Sequence, residues 1–182
     1  MQSVTLGVGQ FCTNPGITLA LKGPQHDAFV SKTSALIAQV APGSMLNAAI
    51  CSRYREGVEK LSTIKGVKAV SSSSQRADPQ KTQAAATVVA TDAETFLKNE
   101  ILREEVFGPA TLIVGCNSVR EMEQVARALP GQLTATVHGT PGDLAEFALF
   151  IELLGQKVGR LIINGFPTGV EVCPAMQHGG PY

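Results

Sequence analysis

Tryptophan is absent from this sequence, and aromatic residues together make up only 5% of it. Proteins that grip single-stranded nucleic acid stack bases on aromatic rings, so no such platform is expected here. A surplus of charge is missing too, since 15 basic residues balance 15 acidic ones. A balanced chain carries no electrostatic footprint for nucleic acid or for an anionic membrane surface. No apolar run approaches the roughly 20 residues that a membrane span needs. The N-terminus also lacks the basic-then-apolar pattern of a signal peptide. The 4 cysteines, Cys12, Cys51, Cys116 and Cys173, lie far apart and include none of the close pairs of a zinc site. Counting alone leaves disulfides open, but a core-rich chain without a signal fits free thiols in a reducing, cytoplasmic compartment. His26, His138 and His178 have no companions at metal-ligand spacing, so no metal is expected.

Apolar residues are plentiful. The chain has 182 residues, 44% hydrophobic and 16% charged. That length suits one domain able to bury roughly 70% of its unfolded surface. Residues 17–21 read as a strand, and apolar spacing predicts a helix from Pro24 to Val40. Ser44 is the expected cap of a second helix running to about Leu61. Strand character follows at 67–70 and 86–90, around an exposed loop at 71–82 rich in Ser, Pro and charge. Thr91 or Asp92 is expected to cap a helical turn at 93–99.

The second half alternates strand 110–114, helix from Ser118 to about 129, strand 133–138, helix from Asp143 to about 154, and strand 160–164. Short connections between such units argue for an α/β fold, a largely parallel sheet covered by helices. Ligands of such sheets sit at the carboxyl ends of strands. Residues 164–169 follow one such end and are a candidate pocket wall.

Three motifs carry candidate chemistry. In VGQFCTNPG, residues 8–16, Asn14-Pro15-Gly16 forces a turn immediately after Cys12. Cys12 is then either a small buried thiol or a nucleophile presented by the turn, with its own N–H free to meet an oxyanion. In EEVFGP, residues 104–109, the acidic pair is either a solvated helix end or the source of a carboxylate for sugar hydroxyls, with Phe107 on a flat ring. The segments 165–169 and 178–181 are rich in glycine without a phosphate-binding pattern. Gly7-Val8-Gly9 begins like G-x-G-x-x-G but meets Cys12 where the last glycine belongs, so it is not a nucleotide fingerprint.

Taken together, GQFCTNPG at 9–16, EEVFGP at 104–109 and NGFPTGVEV at 164–172 resemble the aldehyde dehydrogenases in order and separation. With QLTATVHG and the terminal AMQHGGPY, the chain is similar to the branch oxidising 2-oxoglutarate semialdehyde (2,5-dioxopentanoate). The resemblance implies the catalytic-domain fold of that family. It implies Cys12 as nucleophile, forming a thiohemiacetal and then a thioester, with NAD or NADP as cofactor. It further implies that Glu105 holds the nicotinamide ribose, that Phe107 positions the nicotinamide, and that Phe166 and Thr168 line the substrate pocket.

Nothing here matches the family's Rossmann cofactor domain. The glutamate that activates the deacylating water and the asparagine of the oxyanion hole would precede Met1. Residues 1–182 are therefore expected to be a single catalytic domain, truncated at both ends: an excised domain or a fragmentary gene product. The full-length enzyme is expected to take a small aldehyde and to form homo-oligomers. The fragment alone is expected to hold no cofactor, to show no dehydrogenase activity and to self-associate through uncovered apolar surface. Two alternatives stand beside this reading, a weak cofactor-independent thiol esterase and a non-catalytic remnant serving as an interaction domain.

Overall fold

The computed structural model describes residues 1–78, 80–168, 173–176 and 178–181. Its strands are β1 (Ile17–Leu21), β2 (Gly43–Ser44), β3 (Lys68–Ser72), β4 (Gln83–Ala84), β5 (Thr87–Asp92), β6 (Ala110–Cys116), β7 (Gln132–Val137) and β8 (Val158–Ile163). Its helices are α1 (Gln2–Thr5), α2 (Pro24–Ala38), α3 (Ala48–Thr63), α4 (Ala93–Lys98), α5 (Val119–Ala128), α6 (Pro141–Glu146) and α7 (Ala148–Lys157).

A four-stranded sheet in the order β1-β6-β5-β3 dominates the fold, with β1, β6 and β5 parallel and β3 antiparallel at one edge. The run ATLIVGC makes β6 central because every one of its residues is apolar or small enough to bury, and each does bury. Its alternate side chains serve two layers. Leu112, Val114 and Cys116 join Phe96 of α4 and Val125 of α5, while Ile113 joins Ile37 of α2 and Val88 of β5. The α/β expectation therefore holds.

Several local expectations need correction. Asn47, not Ser44, caps α3: its side chain accepts the Ile50 N–H at 2.9 Å, and Ser44 is instead paired in β2 with Gln83. Thr140, not Asp143, caps α6. The two form a reciprocal box, with Thr140 Oγ1 accepting from the Asp143 N–H while the Asp143 carboxylate accepts from the Thr140 N–H and hydroxyl. The helix expected to run to about 154 is broken at Phe147 into α6 and α7. Asp92 does cap α4, accepting from the Thr95 N–H at 2.8 Å, and Ser118 caps α5. The alternating second half also closes differently, since β7 and β8 pair in parallel with each other as a separate two-stranded sheet.

Candidate functional site

The chain approaches Cys12 through Gly7, Val8 and Gly9, all in the left-handed backbone region at φ 55°, 58° and 66°. A β-branched residue there costs on the order of 1–3 kcal/mol, so surrounding contacts must hold Val8 in place. It packs against the cluster of Met45, Cys51, Tyr54, Ala84 and Ala110. Gly9 lies directly on the backbone of Gly108, where a Cβ would come within 2.3 Å of the Gly108 carbonyl. No other residue fits this position.

Side chains fix the rest of the loop. Gln10 donates from Nε2 to the Gly7 carbonyl at 3.0 Å and accepts the Leu46 N–H at 2.9 Å. Asn14 donates from Nδ2 to the Gly108 carbonyl at 2.9 Å. Just after Asn14, the Gly16 carbonyl accepts the Leu112 N–H, the first bond between the Cys12 loop and β6. Gly108 belongs to EEVFGP, so two motifs nearly 100 residues apart in sequence meet backbone to backbone (the Asn14–Gly108 separation is 94).

The topology explains the meeting. β1 and β6 are parallel neighbours, Ile17 opposite Leu112, so the segments entering them lie side by side. The first enters from Cys12 and the second from residues 104–109. Both motifs thus sit at the amino ends of their strands, whereas the general rule for parallel sheets places ligands at carboxyl ends. Residues 164–168 alone follow a carboxyl end, that of β8.

Tyr54 braces the second motif from beneath. Its hydroxyl donates to the Ala85 carbonyl at 2.6 Å and lies 3.3 Å from the Pro109 carbonyl. Burial pushes this phenol up to about 12, so it remains a neutral donor at physiological pH. Glu104 and Glu105 are exposed, and Phe107 is half-buried. Glu105 borders a cleft shared with Arg53, Glu56, Gly57, Lys60 and Val106. Among the described residues, neither Glu104 nor Glu105 engages in an ion pair or a side-chain hydrogen bond, which leaves both carboxylates free as acceptors.

The cysteines divide cleanly. Cys51 and Cys116 are buried, and Cys12 and Cys173 are exposed and free. Burial pushes the Cys116 thiol up to about 11, with Glu121 adding to the shift, so this sulfur stays protonated and inert. At Cys12 the sulfur is open to solvent, and no backbone hydrogen bond is formed by its N–H within the described residues.

The other expected site residues are placed differently. Phe166 is exposed at 49%. Thr168 is buried, and its hydroxyl donates to the Ser3 carbonyl at 2.9 Å, tying the segment after β8 to α1, just upstream of the Cys12 loop. Asn164, at φ 51°, clasps β7 to β8 by donating to the Gly139 carbonyl and accepting the Gly139 N–H. Gly169 and residues 170–172 lie outside the described residues. Sequence reasoning passed over His178, whose Nε2 lies 3.3 Å from Cys12 Sγ. Its advance signals were its place in the terminal AMQHGGPY motif and the Gly-Gly pair that follows it. No group of metal-ligating side chains occurs among the described residues, and none of their helices is long and apolar enough to cross a membrane.

Comparison with known proteins bears on this geometry. The profile of the aldehyde dehydrogenase family matches residues 1–181. Alpha-ketoglutaric semialdehyde dehydrogenase 2 of Azospirillum brasilense is 43% identical over 182 residues, covering 100% of this chain and 34% of that protein. Alpha-ketoglutaric semialdehyde dehydrogenase of Acinetobacter baylyi is 36% identical over 181 residues, covering 99% and 34%. The chain therefore spans about a third of the length of these curated relatives. The fold is shared with the NAD+ complex of an aldehyde dehydrogenase from Bacillus cereus, at TM-score 0.77 and 18% identity over 98% of this chain and 36% of that one. It is shared equally with the Delta-pyrroline-5-carboxylate dehydrogenase of Mycobacterium tuberculosis, at TM-score 0.79 and 16% identity over 99% and 34%. The match along nearly its whole length makes this chain a member of the aldehyde dehydrogenase family.

Proposed function

We propose that these residues are the cysteine-bearing catalytic portion of an NAD(P)-dependent semialdehyde dehydrogenase, with Cys12 as its nucleophile. One observation carries the reading most directly: the Cys12 loop is bonded through Asn14 to Gly108, the residue after Phe107. A thiol and a free carboxylate are thereby presented from neighbouring strand entrances. The two named relatives, both alpha-ketoglutaric semialdehyde dehydrogenases, support an aldehyde that itself bears a carboxylate.

In this reading Cys12 Sγ adds to the aldehyde carbon to give a thiohemiacetal. The oxygen that gains charge is met by the Cys12 backbone N–H, a donor that costs no reorganisation. The residues present suit a nicotinamide dinucleotide, because Glu105 is an unengaged carboxylate at a cleft rim and Phe107, two residues on in the chain, supplies a half-buried flat ring. Glu105 would accept from the ribose hydroxyls and Phe107 would pack on the ring. When bound, NAD(P)+ supplies a two-electron acceptor. The acyl group held on Cys12 then leaves by hydrolysis, which restores the thiol. Phe166 borders the aldehyde, and Thr168 acts by holding that segment to Ser3. The whole enzyme is a homo-oligomer, and these residues alone lack dehydrogenase activity.

The intact mass of the natural polypeptide decides between the whole enzyme and the part. A species much larger than 19.1 kDa is expected. In it, Cys12→Ala lowers aldehyde-dependent NAD(P)H formation by at least about 1000-fold. Undiminished turnover in that variant refutes the assignment of Cys12. A second reading, favoured by the exposed sulfur and unengaged N–H of Cys12, is cofactor-independent thiol esterase activity. It is refuted if p-nitrophenyl acetate turnover is unchanged in Cys12→Ser.

A further inference from the structure

We infer that His178 is the proton acceptor for the Cys12 thiol. The inference rests on the reading of Cys12 as nucleophile. His178 Nε2 lies 3.3 Å from Cys12 Sγ, although the two residues are 166 positions apart and both are exposed. Exposed side chains have water as an alternative partner at every angle, so their meeting requires that both backbones be held.

Both backbones are held. The Cys12 loop is pinned by Gln10 and Asn14 as described above. The segment carrying His178 lies against the entrances of β7 and β8. A Cβ at Gly159 would strike the Gly179 carbonyl, and a Cβ at Gly180 would strike the Gln132 carbonyl. Glycine at 159 and at 180 is what lets the chain come this close, and the imidazole is delivered to the sulfur as a result.

Among the described thiols only Cys12 lies within hydrogen-bond distance of a basic side chain. Cys51 Sγ donates to the Gln83 carbonyl at 3.4 Å, Cys116 is buried against its own strand, and Cys173 is exposed with no side-chain partner among the described residues. Imidazole is the side chain most often used to take a proton from a nucleophile. The step balances without any redox partner. The S–H bond breaks and its proton passes to Nε2. The sulfur electron pair forms the S–C bond to the aldehyde carbon, and the carbonyl π pair moves onto oxygen beside the Cys12 N–H. The resulting imidazolium then gives that proton to the oxygen, leaving a neutral thiohemiacetal and a neutral imidazole.

Alkylation of the chain by iodoacetamide tests this, with the labelled positions followed over time by peptide mass spectrometry. Cys173 is the reference thiol and Cys51 reports unfolding. In His178→Ala the labelling of Cys12 is expected to slow by at least about 10-fold while Cys173 is unchanged. Free imidazole is expected to restore the Cys12 rate in that variant without accelerating Cys173, which a merely structural role would not produce. If Cys51 becomes reactive in His178→Ala, His178→Gln takes its place and the same loss is expected. Equal Cys12 rates with and without His178, or an imidazole effect shared by both exposed thiols, overturns the proposal. The labelling uses neither aldehyde nor nucleotide, so its outcome is independent of whether the dehydrogenase reading stands.

Discussion

Every residue of β6 is buried, whereas in β7 and β8 only Val158 is. Both regions contain parallel strands with helices alongside, and both ATLIVGC and VGRLII are rich in branched apolar residues, although only the second carries a charge, Arg160. Coverage makes the difference. β6 lies between α2 on one face and α4 with α5 on the other. β7 and β8 contact α7, whose Phe150 and Leu153 are buried, yet their own residues remain half-exposed. Thr136 Oγ1 and two nitrogens of Arg160 there are shut away from water with no partner among the described residues. The four-stranded sheet is thus complete enough to hold the Cys12 loop, while the β7–β8 pair is finished on one side. Its large apolar neighbours Leu149 and Ile163 are exposed, at 78% and 43%.

Truncation of a core side chain in each region sharpens the contrast most. Phe96 has no exposed surface and touches both α5 and the sheet cluster, so Phe96→Ala is expected to cost about 3–5 kcal/mol in urea unfolding. Leu161→Ala, at a half-exposed position of β8, is expected to cost about 1 kcal/mol. Equal costs would mean that the two regions share one core after all.

Gly9→Ala sits between these values. It drives a methyl group into the Gly108 backbone at a φ that alanine avoids, and about 2–3 kcal/mol of destabilisation is expected. Because Gly108 carries the second motif, the same variant should also change Cys12 labelling. A neutral Gly9→Ala would show that the meeting of the two motifs is slack.

The smallest effect concerns the α4 cap beneath β5. The Thr95 backbone N–H holds the Asp92 carboxyl below its usual 3.8, with Lys22 and Lys98 adding to the shift. A lowered folded value means that the charged cap stabilises the fold above the unfolded value, and that this is lost as pH falls through the folded one. Asp92→Ala is therefore expected to cost about 1 kcal/mol at pH 7. In urea titrations the difference should shrink below about pH 4, as the wild-type carboxyl protonates. A constant difference down to pH 2 would assign the cost to something other than the charged cap.

Much of this was legible in the chain itself. Runs such as ATLIVGC announce a buried strand because no charged residue interrupts them, and Asp92 and Ser118 announce helix starts because the residues after them have helical spacing. The α3 start was misplaced because Ser44 and Asn47 both suit a cap, and only the pairing of β2 with β4 decides which is free to serve. The Thr140–Asp143 box is reciprocal, so either residue passes for the cap. The separate β7–β8 sheet and the Cys12–His178 contact were illegible for one reason: both are set by which distant segments pair, and local composition carries no record of that. The Cys12 and EEVFGP motifs were legible as pieces. Their contact through Asn14 and Gly108 was not.

Acyl transfer to the chain itself tests the central claim, that Cys12 is the nucleophile, most directly. The chain is incubated with p-nitrophenyl acetate and the acetylated positions are read by peptide mass spectrometry, with Cys173 as the exposed comparison. The account predicts acetyl on Cys12, accumulating well ahead of Cys173 and absent from that position in Cys12→Ser. Acetylation of Cys173 at the same rate as Cys12 would contradict it.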